Sequence, residues 1–438
     1  MEQHGRQWSR SYGVADMNEQ SVRRALRILC ISPRFPPAAS AEAFVSAKLV
    51  LALLDAGVEV RVLTASPTVE FGPGSYREDH SLIWDRLGPS VHMVGGDGQG
   101  RFGGLRKVHS ALKYGALFTH PILVDMFCAA ARDLMAEQEF DAVYTRSHPL
   151  AAHLVGLHLK RRFGSPWIAN FNDCAYGGLL PEPFRQAGPL LPTLSHVWAL
   201  RRVLANADAV TFCCERLAEA HLRGGDRRKN GLVRIIPHIG QAVGHKDCRD
   251  SFVVLHAGNL SDFGRGGSCF LGGFQRFLQG HPEAKSTAML KMVGAGGGEV
   301  ASWAAEHGIS HNVVATPRVP YEESLREIAG CSVAVLIEAP VKEGIFFPSK
   351  LADYLCAEKP VLAISPAAGT VSDMFSRGGG GIRVDYDDTE GAARALGRFY
   401  EAWRENRLSH WASTHHEVLA PSRVAQRFVD VIRQCVKS

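Results

Sequence analysis

The sequence predicts an α/β protein with two doubly wound parallel sheets that face each other across a cleft. Three observations lead to this prediction. Short apolar runs rich in β-branched residues alternate with longer amphipathic stretches in both halves of the chain, which is the pattern of parallel α/β sheets. Glycine turns follow several of the apolar runs. The length of 438 residues suits two domains of roughly 200 residues each.

Composition narrows the class of protein. Apolar residues make up 46% of the chain and charged residues 21%, as in soluble globular proteins. The net charge of +5 is small for this length and argues against a dedicated nucleic-acid-binding protein. The composition is compatible with an acidic substrate or an anionic membrane surface as a binding partner.

The cysteines and the N-terminal residues indicate a cytoplasmic protein. None of the ten cysteines forms a Cys-x-x-Cys pair, which favours a reducing compartment. There is no His-Glu-x-x-His motif, and we expect no metal site. Residues 1–24 are polar and lack the apolar core of a signal peptide, and we predict that they form a loose tail. No apolar stretch reaches the length of a membrane-spanning helix.

The first half opens with a strand, helix and strand. Residues 27–31 are an apolar strand, prolines then force a loop, and a helical pattern runs from about residue 41 to 56. Gly57 ends this helix, and residues 58–64 alternate as the next strand. This is a βαβ unit of a parallel sheet.

A small basic patch follows in residues 101–113. It carries Arg101, Arg106, Lys107 and Lys113 without an acidic residue, and apolar residues stand between them at helical spacing. One interpretation is a helix face in contact with water. The other is a surface that docks on anionic lipid or on a lipid-linked acceptor, with Arg106 and Lys107 as its contact residues.

Polar residues stand at the ends of the next two strands. Strand 141–145 leads to Arg146 and His148, and strand 166–171 leads to Asp173. Asp173 can orient or deprotonate an acceptor hydroxyl, or it can cap the following turn. His148 is a second candidate catalytic residue, and Arg146 is a candidate for holding an acceptor.

The division into domains follows from a polar segment near the middle of the chain. Residues 205–237 repeat a strand, helix and strand pattern, and residues 240–250 are polar and read as a linker. We therefore predict a tail (1–24), an N-terminal Rossmann-like domain (25–245), a C-terminal Rossmann-like domain (250–415) and a final helix (416–438).

The second domain begins with an apolar strand over residues 252–257. Gly258 and Asn259 follow it, and a glycine-rich loop then carries Arg265. Glycine-rich loops after strands are suited to the close approach of a phosphate. Gly258, Asn259 and Arg265 are therefore candidate ligand-binding residues, although such loops are common and this one alone is a weak indication.

The stretch from 338 to 360 contains the most informative residues. It joins two buried strands, 331–337 and 361–364, through a loop and a short helix. Ser349 is placed as the helix N-cap, where backbone N–H groups and Lys350 favour a phosphate. Asp353, one turn further on, can accept two hydrogen bonds from a ribose diol. The alternative is a capped crossover whose charges face water.

This stretch resembles the donor-binding segment of GT-B glycosyltransferases of family 4. The resemblance rests on Pro-Ser-Lys at 348–350 and on Asp353, seven residues before Pro360. The family usually has Glu at the position of Asp353. Glu343 precedes Asp353 by ten residues, a longer spacing than in the family, and it is a weaker candidate for contact with the donor sugar.

The resemblance implies a fold and roles for several residues. It implies two Rossmann-like domains of GT-B type, an acceptor domain (25–245) and a nucleotide-sugar donor domain (250–415), with Gly258 and Asn259 among the donor-binding residues. Arg265 and Lys350 then contact the diphosphate of the sugar donor, and Asp353 contacts its ribose. The segment 319–321, with Tyr321, lies beside the nucleotide base. Residues 39–41 read Ala-Ser-Ala where the family often has a Gly-Gly pair near the phosphates. The terminal helix is expected to cross back to the first domain.

The resemblance also implies an activity. It indicates a retaining, metal-independent transferase without a cofactor, which moves a sugar from a nucleotide-diphosphate sugar to a glycan or lipid-linked acceptor in polysaccharide biosynthesis, at the inner face of the membrane. Two alternatives stay open. One is a sugar-nucleotide epimerase of the same fold, and the other is a non-catalytic sugar-nucleotide binding or partner subunit.

Overall fold

The computed structural model describes residues 24–67, 77–82, 84–95, 103–186, 188–223, 231–244, 250–260 and 264–437. The predicted N-terminal tail up to residue 23, Arg101 of the basic patch and part of the predicted linker lie outside these residues.

The first half of the chain builds a parallel seven-stranded sheet. Its strand order is β3-β2-β1-β4-β5-β6-β7. The strands are β1 (Arg27–Ile31), β2 (Glu59–Ala65), β3 (Val91–Val94), β4 (Ala142–Arg146), β5 (Trp167–Phe171), β6 (Ala209–Phe212) and β7 (Leu232–Ile235). The helices are α1 (Ala41–Asp55), α2 (Trp84–Leu87), α3 (Gly103–Tyr114), α4 (Pro121–Glu137), α5 (Ala151–Phe163), α6 (Leu190–Asn206) and α7 (Glu215–Leu222).

The second half builds a parallel six-stranded sheet. Its strand order is β10-β9-β8-β11-β12-β13. The strands are β8 (Phe252–Ala257), β9 (Ala288–Val293), β10 (Val313–Thr316), β11 (Val333–Ile337), β12 (Val361–Ile364) and β13 (Gly381–Val384). The helices are α8 (Ser268–Gly280), α9 (Gly297–Glu306), α10 (Tyr321–Ala329), α11 (Ser349–Cys356), α12 (Thr370–Gly378), α13 (Thr389–Arg404), α14 (His416–Leu419) and α15 (Pro421–Lys437).

Both sheets have the doubly wound order in which the chain reverses direction beside the first strand. The reversal lies between β1 and β4 in one sheet and between β8 and β11 in the other. The central strands are buried on both faces, as in β11, where every residue is buried, and this explains their continuous apolar sequence. The predicted pair of doubly wound parallel sheets is confirmed.

The last helix joins the end of the chain to the first half. Helix α15 packs against α1, β4 and β5, and the ring of Phe428 meets the ring of Tyr144 edge to face at a centroid distance of 5.5 Å. Its apolar residues recur at helical spacing and are buried together in this contact. The two halves are therefore connected both between β7 and β8 and through α15.

None of the helices in the described part of the chain combines the length and the apolar character that crossing a membrane requires.

Candidate active site

A cavity of about 890 Å³ lies between the two halves, at the carboxyl ends of β8, β9 and β11. Doubly wound sheets bind ligands at this edge, next to the reversal of strand order. Residues of α1 and of the loop after β5 line it from the first half. The lining includes these residues predicted from the sequence: Asp173, Gly258, Asn259, Arg265, Val319, Tyr321, Ser349, Lys350 and Asp353.

Lys350 enters the cavity beside Gly258, the first residue after β8. Gly258 has φ +156°, and a Cβ atom at this position would overlap the Lys350 ammonium group. Gly294 after β9 is equally restricted, because a Cβ atom there would collide with the carbonyl oxygen of Gly258. The two glycines thus leave room for a lysine amine at the sheet edge, close to the N-terminus of α11.

The first turn of α11 differs from the prediction in one detail. Pro348 is the N-cap and no side chain caps the helix, so Ser349 is the first helical residue. The prediction of Ser349 as N-cap is wrong, because the extended backbone of Pro348, with φ −61° and ψ 122°, already precedes the helix. The hydroxyl of Ser349 still lies in the cavity lining.

The positive charge of Arg265 lowers the pKa of carboxyl groups from both halves of the chain. Burial raises the pKa of Asp173 in the first half and of Glu338 in the second, and the charge of Arg265 opposes this in both. The Nε atom of Arg265 is buried and has no hydrogen-bond partner among the described residues. A guanidinium has five N–H donors, so Arg265 has donor capacity left for a ligand.

Glu338 is a cavity residue to which we assigned no role from the sequence. It directly follows β11, is 8% exposed, and its Oε2 atom lacks a hydrogen-bond partner among the described residues. Burial raises the pKa of its carboxyl to about 8, against the lowering effect of Arg265. At neutral pH the group is therefore largely protonated and can donate a hydrogen bond. A carboxyl directly after a fully apolar strand was the available signal.

His256 near the end of β8 also received no role from the sequence, because its position within a strand resembles that of a core residue. Its Nδ1 lies 3.1 Å from the carbonyl oxygen of Val335, so Nδ1 donates and Nε2 carries the lone pair. Burial, followed by the charge of Lys350, lowers the pKa of the ring to about 3. Nε2 is buried without a partner among the described residues. His256 therefore presents a neutral acceptor atom to the cavity.

Asp353 is 4% exposed and already accepts three hydrogen bonds. Its Oδ1 accepts from Lys48 Nζ and from the backbone N–H of Gln241, both at 2.9 Å. Its Oδ2 accepts from the Tyr321 hydroxyl at 3.0 Å. A carboxylate has about four acceptor positions, so one remains here. The two hydrogen bonds to a ribose diol that we predicted would need one of these partners to move.

Lys48 of α1 is the third residue to which we assigned no role from the sequence. It is 1% exposed, and its ion pair with Asp353 joins the first half of the chain to the second. In the sequence it stands alone among apolar residues in the middle of a helix. A single lysine on an otherwise buried helix face indicates a buried ion pair, so this signal was present.

The aromatic ring of Tyr321 also connects the halves. It stacks on Phe44 of α1 with a centroid distance of 4.8 Å and an interplanar angle of 18°. The backbone N–H groups of Tyr321 and Glu322 donate to Asp79 Oδ2 at 2.8 Å and Ser81 Oγ at 3.3 Å. Side chains of the first half thereby cap α10 of the second half, as N-cap side chains do within a helix.

Asp173 lies opposite the second-half residues. Its carboxylate accepts a hydrogen bond from the backbone N–H of Cys174 at 2.6 Å, and the side chain opens into the cavity, where surrounding protein raises its pKa. Behind it, Glu42 accepts from Asn172 Nδ2 at 2.9 Å and from Arg146 Nη2 at 3.5 Å. Burial raises the pKa of Glu42 to about 7.

Five predicted residues are not among the described residues that line the cavity. Arg146 is buried behind the wall, where it donates to Glu42 and to the Tyr144 hydroxyl. His148 is half-buried just after β4. Glu343 pairs with Arg216 of α7 at 2.7 Å. Arg106 and Lys107 are exposed on α3, at a distance from the cavity lining.

The family comparison bears on the first half of the chain. The model of the glycosyl transferase 4-like domain matches residues 42–237. This segment is a glycosyl transferase 4-like domain. It contains strands β2 to β7 and the wall of the cavity that carries Asp173. The resemblance to GT-B glycosyltransferases of family 4 type is thereby confirmed.

Solved structures similar to this chain share its fold at low sequence identity. Sucrose-phosphate synthase from Thermosynechococcus elongatus is 17% identical, with a TM-score of 0.61 over 93% of this chain and 98% of its own. HepE from Anabaena, solved with UDP and glucose, is 15% identical, with a TM-score of 0.62 over 93% and 100%. A putative UDP-N-acetylglucosamine 2-epimerase from Listeria monocytogenes is 11% identical, with a TM-score of 0.58 over 94% and 97%.

Among curated protein sequences, none shows significant similarity to the chain.

Proposed function

We propose that the protein is a retaining glycosyltransferase. It takes a sugar from a nucleotide-diphosphate sugar and transfers it to a hydroxyl of a glycan or lipid-linked acceptor in polysaccharide biosynthesis, on the cytoplasmic side of the membrane. The observation that carries this proposal is the placement of two cations, Arg265 and Lys350, beside protonatable carboxyls in one cavity between the two halves. HepE, which shares the fold, was solved with UDP and glucose.

The diphosphate of the sugar donor lies beside Lys350 in this proposal. The ammonium group lies over Gly258, and the N–H groups of the first turn of α11 point to the same edge of the sheet. As the glycosidic bond to the phosphate breaks, negative charge grows on the diphosphate. Lys350 and Arg265 stabilise this charge inside a cleft from which the closed walls exclude water, so the transfer needs no bound metal.

The transferred sugar lies between Glu338 and His256. The protonated carboxyl of Glu338 donates a hydrogen bond to the sugar or to the bridging oxygen, and His256 Nε2 accepts one from a sugar hydroxyl. Both atoms are buried and lack partners among the described residues, so a ligand that satisfies them recovers the free energy of unmade hydrogen bonds. Asp173, on the opposite wall, orients the acceptor hydroxyl and receives its proton.

The nucleoside lies toward α10. Val319 and Tyr321 border the cavity there, and Asp353 offers its one remaining acceptor position to a ribose hydroxyl. Lys48 holds the Asp353 carboxylate in this position from the first half. Donor binding and the contact between the two halves therefore depend on the same carboxylate.

The test measures binding and slow hydrolysis for a panel of nucleotide sugars. Wild type is compared with Lys350→Ala and Asp353→Asn, and Lys342→Ala serves as the matched control, because Lys342 is exposed and lies outside the described cavity lining. We expect one donor to bind and to be hydrolysed slowly. Both properties should fall at least about 100-fold in Lys350→Ala and stay unchanged in Lys342→Ala.

The products distinguish the alternatives. Transfer to added lipid or glycan acceptors with the same anomeric configuration supports the proposal. Conversion of the sugar nucleotide to its epimer supports the epimerase, and binding without any turnover supports a binding subunit. The absence of binding to every donor would refute the assignment as a whole.

A further inference from the structure

Two neighbouring helices of the first half expose an unusual amount of apolar side chain. On α3, Leu105 is 75% exposed and Leu112 is 72% exposed, and on α6 Leu190 is 71% exposed. The exposed large apolar residues of this region are Leu105, Val108, Leu112, Leu117, Phe118, Leu190, Leu191, Leu194 and Trp198. We refer to these nine residues as the α3/α6 face. Contiguous exposed apolar surface of this kind marks an interaction site.

The two helices of the α3/α6 face meet where Trp198 of α6 lies beside the end of α3. Trp198 of α6 lies against Gly115, which directly follows α3, so that a Cβ atom at Gly115 would touch its ring. Arg202 of α6 donates to the carbonyl oxygens of Tyr114 and Gly115 at 3.4 and 3.5 Å, and its guanidinium stacks over the Trp198 ring at 4.2 Å. These contacts join the end of one apolar stripe to the end of the other.

The two helices that carry this face have charged residues of one sign. Neither α3 nor α6 contains an Asp or Glu, and their basic residues are Arg106, Lys107, Lys113, Arg201 and Arg202. Arg106 pairs with Asp125 of α4 at 3.0 Å, whereas Lys107 and Lys113 are exposed. Burial, followed by the charge of Arg161 of α5, lowers the pKa of Arg202.

The combination of exposed apolar residues and positive charge favours one kind of partner for the α3/α6 face. A second copy in a two-fold dimer would bring the same basic face from both subunits together, and the repulsion between like charges costs free energy. An anionic bilayer surface supplies hydrocarbon for the leucines, an interfacial region suited to Trp198 and negative charge for the basic residues. We propose that the α3/α6 face docks on a membrane that contains anionic lipid.

The position of the face relates it to the cavity. The loop after β5 lines the cavity with Leu180, Pro181 and Phe184 and then leads into α6 at Leu190. Six residues span at most about 20 Å, so this part of the cavity wall lies within that distance of the first residue of α6. The docking itself does not depend on the proposed function, but the consequence that a lipid-linked acceptor reaches Asp173 does.

The test measures co-sedimentation of the full chain with lipid vesicles. Vesicles of zwitterionic lipid alone are compared with vesicles that contain phosphatidylglycerol, at low salt and in about 0.5 M salt, where charge interactions are screened within a few ångströms. We expect binding to the anionic vesicles that salt weakens. The double variant Leu105→Asn/Leu190→Asn and the variant Lys107→Glu should each bind about tenfold less.

Matched controls change the same residue types elsewhere. Val418→Asn/Val436→Asn removes exposed apolar side chains from other helices, and Lys285→Glu reverses an exposed charge in the second half. These variants should bind like wild type. Equal losses in test and control variants, equal binding to both vesicle types, or no binding to either would overturn the proposal.

Two further measurements distinguish membrane docking from dimerisation through the same face and from the proposed glycosyltransferase function. Sedimentation velocity without lipid should show a monomer, and a dimer that Leu105→Asn/Leu190→Asn dissociates would assign the face to a second copy instead. Calorimetric titration with the nucleotide sugar should give the same affinity for this double variant as for wild type. If no nucleotide sugar binds at all while the vesicle results hold, the proposed function fails and the docking surface stands.

Discussion

The two walls of the cleft satisfy their polar groups in different ways. On the second-half wall, Glu338, His256 and Arg265 each present a buried atom that lacks a partner among the described residues. Among the described residues that line the cavity, those of the first half contribute no such atom. Behind them Glu42 accepts a hydrogen bond from Asn172, although Arg146 Nε and Asn170 Oδ1 there also lack partners among the described residues. Buried polar atoms without partners are rare in native structures, so their concentration on one wall indicates where a ligand's polar groups bind.

The difference assigns separate tasks to the walls. The second-half wall is arranged to receive a ligand rich in hydroxyl and phosphate oxygens, because its open donors and acceptors lie beside two cations. The first-half wall holds its shape through internal hydrogen bonds and opens one carboxyl, that of Asp173, to the cavity. Lys48 and Tyr321 connect the walls through Asp353. The four predictions below test this division.

The largest effect is expected where the walls are joined. Lys48→Ala leaves the Asp353 carboxylate buried without its cation, and we expect a loss of about 3 to 5 kcal/mol in the free energy of unfolding. Lys160→Ala is the matched control, because the pair of Lys160 with Asp208 is partly exposed and should contribute less than about 1 kcal/mol. Urea unfolding measures both, and similar losses in the two variants would contradict the role of Lys48.

A comparable effect on ligand binding is expected from Gly258→Ala. The added Cβ atom would overlap the Lys350 ammonium group at a backbone angle that favours glycine, so the lysine must leave the sheet edge. We expect donor affinity to fall about 100-fold or more, as in Lys350→Ala, or about 2.7 kcal/mol.

The control for this change is Gly298→Ala in α9, where a Cβ atom meets nothing within 4 Å. It should leave donor affinity unchanged in calorimetric titration. The double variant Gly258→Ala/Lys350→Ala should bind no more weakly than either single variant, because both remove the same contact. Additive losses would show that Gly258 acts independently of Lys350.

A moderate effect is expected from the pH dependence of Glu338→Gln. The pKa of Glu338 is about 8 in the folded protein against an ordinary value of 4.5, so between these values the folded state binds more protons than the unfolded state. Wild type therefore loses stability relative to Glu338→Gln as the pH rises from about 5 to about 8, by up to about 1.4 kcal/mol per pH unit. Urea unfolding of both proteins at several pH values measures this difference.

The two proteins should have similar stability at about pH 5, where Glu338 is protonated in the folded state. A difference that stays constant over the whole range would show that Glu338 ionises as an ordinary exposed carboxyl does. Donor affinity of wild type should also fall above about pH 8, and this step should be absent in Glu338→Gln.

The smallest effect is expected from Glu343→Gln. Glu343 pairs with Arg216, and the pair lies outside the described cavity lining. We expect donor affinity to change less than about threefold and stability by less than about 1 kcal/mol, because both side chains are partly exposed. A large loss of donor affinity in calorimetric titration would instead indicate that Glu343 contacts the donor sugar.

Much of the fold was predictable because local patterns and tertiary burial agree. Strands β1, β8 and β12 begin and end at the predicted residues, since apolar runs buried on both faces have sharp limits. The cap of α11 was not predictable in the same way, because a serine after a proline fits both the N-cap and the first helical position.

The site was predictable where a residue stands in a loop after a strand. Arg265 and Asp173 were predicted from such positions, and Lys350 and Asp353 from the first turns of a helix that follows such a loop; all four line the cavity. Glu338 also directly follows a strand, and this position was the available signal for it. His256 and Lys48 lie within regular elements, and the partner of Lys48, Asp353, is 305 residues away in sequence. Their roles depend on which groups the fold brings together, and spacing along the chain does not contain that information.

The most direct test of the division between the walls is a crystal structure with a bound nucleotide-diphosphate sugar. We expect the diphosphate to lie within hydrogen-bond distance of Lys350 Nζ and Arg265. We also expect a sugar hydroxyl or the bridging oxygen to accept a hydrogen bond from the Glu338 carboxyl. A diphosphate held mainly by the first-half wall, or a ligand that leaves Glu338 Oε2 and His256 Nε2 without partners, would contradict this division.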